Sequence, residues 1–247
     1  MLLGVNIDHI ATLRQARYAG NPTAPIVEPS VLEAAKVCQK AGADSLTIHV
    51  REDGRHMQRV DAFELKEKVD LPLNLEMANT GEMLKFALEL NPDFVCLVPE
   101  SRDEVTTEGG LDVVGQETFL EATIAELQKN GIKVSLFIDP EPDQIEAAGR
   151  LGAEMVELHT GGFAQFLGKQ RNDELERLKL GAVQAYDALD LQVNAGHGLH
   201  YDNLQEFLEV PHLTELNIGH AIIARAVFVG LEQAVREMRA LIDRMAG

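Results

Sequence analysis

Basic residues are scarce in this chain of 247 residues: 22 Lys and Arg stand against 40 Asp and Glu, a formal charge of −18 at pH 7. A surface that grips nucleic acid or an anionic membrane must be basic, so the composition argues against both partners. Small anions remain open to it, provided the few cations gather locally. Arg14, Arg17, Arg51, Arg55 and Arg59 all fall in the first quarter of the chain. Cysteine is rarer still. Cys38 and Cys96 offer neither a metal-ligand spacing nor a disulfide framework. Cys38 shares a helical stripe with Val31 and Ala35, and Cys96 lies inside the apolar run Phe94–Val98, so both read as small core residues in a reducing compartment. No apolar run reaches membrane-spanning length. The first strand pattern begins almost at Met1 with no secretory signal before it, and a cytoplasmic location is expected.

Other absences narrow the chemistry. No GxGxxG turn follows the first strand, which runs into Asp8-His9-Ile10-Ala11 and so argues against a doubly wound dinucleotide fold. No lysine stands at the C-terminal end of a predicted strand, which disfavours a Schiff base on an enzyme amine. No HxH pair and no compact His/carboxylate cluster has ligand spacing, so the sequence supports no metal and no cofactor.

What is present is a strict alternation of strand and helix signals. Short Val/Ile/Leu-rich runs at Leu3–Asp8, Ser45–Val50, Leu73–Met77, Phe94–Val98, Lys133–Asp139, Met155–His159, Leu191–Ala195 and Glu215–Ile218 show no clean polar alternation, as strands covered on both faces should. Between them lie helical stripes such as Met83, Phe86, Ala87 and Leu90, then Leu120, Ile124 and Leu127, and finally Leu231, Val235, Met238 and Ile242. Eight such units in about 250 residues predict one (β/α)8 TIM barrel over residues 1–247. The long intervals after strands one, four and six predict extra loop or helix there, and the Gly- and Pro-containing segment 19–30 is one such loop.

Five of the eight histidines follow or close apolar runs: His9, His49, His159, His197 and His220. In a barrel, the C-terminal strand ends converge on one pocket. Asn6, Asp8, Arg51, Asn74, Glu76, Glu100, Asp139, Glu157, Asn194 and Asn217 belong to the same rim. A lone histidine such as His159 or His220 has a plain reading as a hydrogen-bonding residue. Glu76 and Glu157, within apolar strands, could be a structural ion pair. His200 and His212 read as surface residues. So many polar groups at one rim are nonetheless hard to assign to packing, and together they form a proton-transfer set.

The turns Asn194-Ala195-Gly196-His197-Gly198 and Asn217-Ile218-Gly219-His220-Ala221 place glycine amides after strands seven and eight, where barrels bind phosphate, and the second runs into a helix N-terminus. The segment 100–115, with Thr106, Thr107, Gly109 and Gly110, reads as a lid over substrate. The residues therefore predict acid–base catalysis on a phosphorylated small molecule.

The stretches GVNIDHIATLRQAR (4–17), GADSLTIHVREDGRH (42–56), NLEMA (74–78), LVPESRDEVTTEGGLDV (97–113), VSLFID (134–139), ELHTG (157–161), VNAGHGL (193–199) and LNIGHAIIARAV (216–227) closely resemble the pyridoxine 5′-phosphate synthase family. The resemblance implies condensation of 1-deoxy-D-xylulose 5-phosphate with 3-amino-2-oxopropyl phosphate, without a cofactor, by an enzyme that assembles as a homo-oligomer, commonly an octamer. It implies that His49 and Glu76 accept protons, that His197 donates one, and that Glu157 stabilises a cationic intermediate. Asn6, Arg17, Gly198, Gly219 and His220 would hold the aminoketone phosphate; Asp8, His9, Arg51, His56 and Thr106 would hold the sugar phosphate. The sequence departs from the family pattern at Gly54, where a second arginine is expected, at Phe163, which stands in a tyrosine position, in a longer loop at 18–30, and through 163–180.

Overall fold

A computed structural model describes residues 1–21, 24–100 and 109–246. Eight parallel strands close a barrel in chain order: β1 (Leu2–Asn6), β2 (Ser45–His49), β3 (Leu73–Met77), β4 (Phe94–Leu97), β5 (Lys133–Ile138), β6 (Met155–His159), β7 (Gln192–Gly196) and β8 (Leu213–Ile218), which pairs back onto β1. The fold is the expected (β/α)8 barrel. Two helices, α1 (Asp8–Tyr18) and α2 (Val31–Ala41), follow β1; α3 (Arg59–Lys68), α4 (Gly81–Leu90), α5 (Val113–Lys129) and α6 (Pro142–Arg150) follow the next four strands. After β6 come α7 (Gly161–Gln165), α8 (Gly168–Val183) and a π-helical turn at Gln184–Ala188; after β7, the single turn α9 (Leu204–Phe207); after β8, α10 (His220–Val229) and α11 (Leu231–Ala246). Extra helix is thus inserted after β1 and β6 as expected, and the second helix after β8 is an addition to that expectation. Most of the long connection after β4 lies outside the described residues.

The helical stripes are buried where periodicity puts them: Met83, Phe86, Ala87 and Leu90 on α4, and Leu120, Ile124 and Leu127 on α5. Polar capping sets where these helices begin. Ser30, Thr80 and Asp112 each accept a backbone N–H from the first turn of α2, α4 and α5.

The strands correct one expectation. They do alternate, with apolar residues outward and polar residues inward. Leu3, Val5, Leu46, Ile48, Leu73, Leu75, Val134, Leu136, Val156, Leu158, Leu216 and Ile218 belong to the apolar core shared with the helices. The positions between them carry Ser45, Thr47, Asn74, Glu157, Glu215 and Asn217, all buried and polar. Barrel interiors are ordinarily filled by branched apolar side chains; here they hold hydrogen bonds. Ser45 Oγ donates to Glu215, Thr47 Oγ1 donates to Asn217 Oδ1 (2.9 Å), Asn74 Nδ2 donates to Thr47 Oγ1 (3.3 Å), and Asn217 Nδ2 donates to Glu157 Oε2 (2.7 Å). Desolvated polar groups need such partners. Two glycines make the crossings possible: a β-carbon at Gly4 would overlap Asn217 Oδ1, and one at Gly196 would overlap Glu157 Oε1. The alternation escapes a reading by composition because the strands are only four to six residues long, and small inward residues such as Gly4, Cys96 and Gly196 read as apolar.

Candidate active site

At the C-terminal end of the barrel lies a cavity of about 470 Å³. Twelve of the site residues that the resemblance implies line it: Asn6, Asp8, His9, His49, Arg51, His56, Glu76, Glu157, His197, Gly198, Gly219 and His220. Two do not. Arg17 lies on the exposed side of α1, and Thr106 falls outside the described residues. His9 and His220 occupy first turns of α1 and α10 rather than strand ends, which brings their rings 5.0 Å apart, edge to face. Of the other arginines, Arg55 lines the cavity, Arg59 pairs with the α4 carboxylate Glu82, and Arg14 makes a buried two-pronged bond to Asp61 on α3 at 2.6 and 2.7 Å. Arg14 also donates to the carbonyl of His56, so it braces the loop that carries Arg51 and His56.

The register of β2 on β3 sets His49 beside Glu76. His49 Nδ1 lies 3.8 Å from Glu76 Oε2, and His49 Nε2 lies 2.8 Å from Glu100 Oε1. The backbone N–H of His49 donates to Asp8 Oδ1 (2.8 Å), and Asn6 Nδ2 donates to Asp8 Oδ2 (2.8 Å). Asp8 therefore ties β1 to β2 as well as facing the cavity. Burial pushes its carboxyl up to about 6 against the opposing effect of His49.

Burial also raises Glu76 well above the carboxylate range, helped by the nearby charges of Glu157 and Asp8, and pushes Glu157 up to about 7 against the hydrogen bond from Asn217. Acidic groups crowded in one desolvated site cannot all ionise, so the resting site holds protons on carboxyls. A cationic ligand would reverse that balance. His56 is driven down to about 4, first by burial and then by His49 and Arg51; its Nδ1 accepts from the N–H of Met57 (2.7 Å), so its proton sits on Nε2 as a neutral donor.

His197 has a backbone φ of 77°, and Gly198 one of 81°, a left-handed pair that turns the chain across the mouth of β7. Thr160 Oγ1 donates to the carbonyls of Gly196 (2.8 Å) and His197 (2.5 Å) and fixes this turn. The imidazole of His159, 5.2 Å from that of His197, bonds Asp139 through Nδ1 at 2.8 Å, which holds Asp139 below the usual carboxylate range. Gly219 precedes α10, whose N-terminus opens on the cavity. That end favours an anion through its unpaired N–H groups and the helix dipole.

Three features go beyond the sequence reading. His200 was expected at the surface but edges the cavity; Asn217 links the cavity to the barrel interior; Glu100 reaches His49 from 51 positions away. His212, expected at the surface, is partly exposed and stacks on Tyr186. Phe163 packs on Phe207 in the buried core, so the missing hydroxyl leaves no gap in the cavity. At Gly54 the φ of 61° puts glycine in the left-handed region.

The raised Glu157 has a measurable consequence. An acid that binds its proton more tightly in the fold stabilises the fold fully below its unfolded value of 4.5, and this contribution is lost as pH rises through about 7. At about 1.4 kcal/mol per pH unit, the loss is at most roughly 3 kcal/mol. Thermal melts at pH 5 and pH 8 test this. Glu157→Gln is expected to gain stability relative to wild type on going from pH 5 to pH 8; a difference independent of pH would contradict it.

A family model described as pyridoxal phosphate biosynthesis protein PdxJ matches residues 3–244. A pyridoxine 5′-phosphate synthase from Akkermansia muciniphila is 62% identical over 247 residues, covering all of both chains. One from Opitutus terrae is 51% identical, covering 97% of this chain and 98% of its own. Among solved structures, a thiamine phosphate pyrophosphorylase from Pyrococcus furiosus has a TM-score of 0.63 at 15% identity, covering 100% of this chain and 97% of its own. An N-acetylmannosamine-6-phosphate 2-epimerase from Clostridium perfringens has a TM-score of 0.57 at 14%, covering 92% of each. These two likenesses establish the barrel alone.

Proposed function

The chain belongs to the PdxJ family of pyridoxal phosphate biosynthesis proteins and is an enzyme that makes pyridoxine 5′-phosphate; on that premise we propose which residues close the ring and what they act on. The substrates are 1-deoxy-D-xylulose 5-phosphate and 3-amino-2-oxopropyl phosphate. The amine that forms the imine arrives with the second substrate, which fits a rim without a lysine. The protein's tasks are to hold two phosphates, exclude water and move protons.

One observation carries this reading: a proton-transfer set and an anion-binding helix end share one cavity. His49 and Glu76, adjacent on β2 and β3, take protons from the condensing substrates. His197, held on its strained turn, returns one to a leaving oxygen. Glu157 rests protonated at the centre of the barrel and ionises as positive charge develops on the imine nitrogen, where a buried carboxylate stabilises it most. The amides of Gly198 and Gly219 and the N-terminus of α10 take the aminoketone phosphate, alongside Asn6 and His220. Arg51, His56 and His9 take the sugar phosphate, with Asp8 bracing the strand beneath. Thr106 belongs to the sugar-phosphate group by resemblance, and Arg17 to the aminoketone group by resemblance, from its place outside this cavity.

The chain acts in the cytoplasm as a homo-oligomer, an octamer by resemblance. The outer face of α10 supports self-association, for Val227 and Phe228 are among its most exposed residues. No helix among the described residues is long and apolar enough to cross a membrane.

Pure protein incubated with both substrates should develop the pyridine chromophore, and neither substrate alone should turn over. Turnover of one substrate alone would point instead to an isomerase or aldolase built on the same phosphate sites. Arg51→Ala is expected to raise KM for the sugar phosphate by about 10- to 100-fold with kcat within a few-fold, the loss of a charge-assisted contact. An unchanged KM would remove Arg51 from that role.

A further inference from the structure

Two carboxyl groups flank His49, and they are not equivalent. Glu76 Oε2 stands 3.8 Å from Nδ1, beyond hydrogen-bond length, while Glu100 Oε1 stands 2.8 Å from Nε2. Both side chains are largely buried. Glu100 is further engaged at its second oxygen, 3.4 Å from the N–H of Glu52. It does not line the cavity. It approaches His49 from behind, from the end of the short segment after β4.

We propose that Glu100 is a positioning residue for His49: it fixes the imidazole in the tautomer protonated on Nε2 and thereby aims the Nδ1 lone pair at Glu76 and the substrates. The chemistry of the pair requires this. An ionised carboxylate can only accept, so the nitrogen 2.8 Å from it must carry the proton. A neutral imidazole with its proton on Nε2 has its base at Nδ1, on the cavity side. The backbone that carries the ring is fixed as well, because Asp8 Oδ1 accepts the His49 backbone N–H. When Nδ1 takes a proton from substrate, the imidazolium already has a counter-charge behind it.

The environment separates the two carboxyls. Burial opposes ionisation of Glu100, but its hydrogen bond to His49, the N–H of Glu52 and the charge of Arg51 hold it below the usual carboxylate range. Glu76 is raised by burial and by Glu157 and Asp8. One carboxylate holds the imidazole while the other exchanges protons, the division of labour that environment imposes on paired acids. Among the described residues, the charged and titratable groups facing His49 are Asp8 at the start of α1, Arg51 and His56 after β2, Glu76 on β3 and Glu100 after β4.

The inference rests on the reading of His49 as a base, but its test does not need turnover. The ring nitrogens of His49 in the ligand-free enzyme are read by 15N NMR, assigned by loss of the signal in His49→Asn. Wild type should show protonated Nε2 and bare Nδ1. Glu100→Ala should lose this single tautomer and lower kcat by about 10²-fold with KM within about threefold. Glu100→Gln keeps the shape and removes the charge, so it covers the case in which the alanine variant fails to fold. It should move the acid limb of the kcat–pH profile to lower pH by at least half a unit. A proton on Nδ1 in wild type, or a Glu100→Gln profile that superimposes on wild type, overturns the proposal. Failure of the base reading is a separate result: His49→Asn would then turn over normally whatever its tautomer had been.

Discussion

Glu76→Gln is expected to lower kcat by about 10²- to 10⁴-fold while phosphate-ligand binding stays within a few-fold of wild type. The substitution is unusually clean. Burial and the neighbouring carboxyls raise Glu76 and favour its neutral form, from which it becomes a base once a cationic ligand draws the proton off; a neutral amide of the same shape reproduces that resting form. Ground-state electrostatics, packing and the 3.8 Å spacing to His49 should hardly change. What disappears is the ability to exchange a proton. Steady-state kinetics with both substrates, together with calorimetric binding of one phosphorylated substrate, separate the two quantities. A rate within fivefold of wild type would take Glu76 out of the proton-transfer set.

The second large effect comes from a residue with no side chain. Gly196→Ala is expected to lower kcat by at least 10²-fold and to cost roughly 1–3 kcal/mol of stability by overpacking. A β-carbon there occupies the position of Glu157 Oε1 and also crowds the carbonyl of Asn217, 3.1 Å away. The carboxyl must shift, and with it the bond from Asn217 Nδ2 that holds its other oxygen. Stability and activity should part company in the double variant. Gly196→Ala combined with Glu157→Ala removes the clash, so its loss of stability should be smaller than the sum of the single losses, whereas activity stays low because the carboxylate is gone. Strictly additive stability losses would show that the two positions do not compete for space.

Much of this was legible in the chain, for reasons that can be named. The barrel follows from eight short apolar runs alternating with helical stripes, and the rim follows from what stands at the ends of those runs. His49, Glu76, Glu157 and His197 are placed by strand geometry alone, since the end of each strand must face one mouth. Glu100 was visible as a rim residue, but its bond to His49 joins positions 51 apart and depends on how the connection after β4 folds back. Local sequence carries no signal for such a contact. His200 was read as a surface residue because its setting is a loop; only the turn set by His197 and Gly198 brings it to the cavity edge. Arg17 entered through resemblance; it is exposed on its helix and is not among the residues that line the cavity. The polar barrel interior was missed because Gly4, Gly196 and Cys96 disguise an alternating pattern as an apolar one.

One cavity must serve both substrates. The most direct test is a structure of the Glu76→Gln variant soaked with both substrates, in which the condensation should stall. The aminoketone phosphate should sit at the amides of Gly198 and Gly219 and the sugar phosphate beside Arg51 and His56. The reacting carbons should lie between residue 76 and the imidazole of His197. Either substrate seated elsewhere, or the two held in separate cavities, would contradict it.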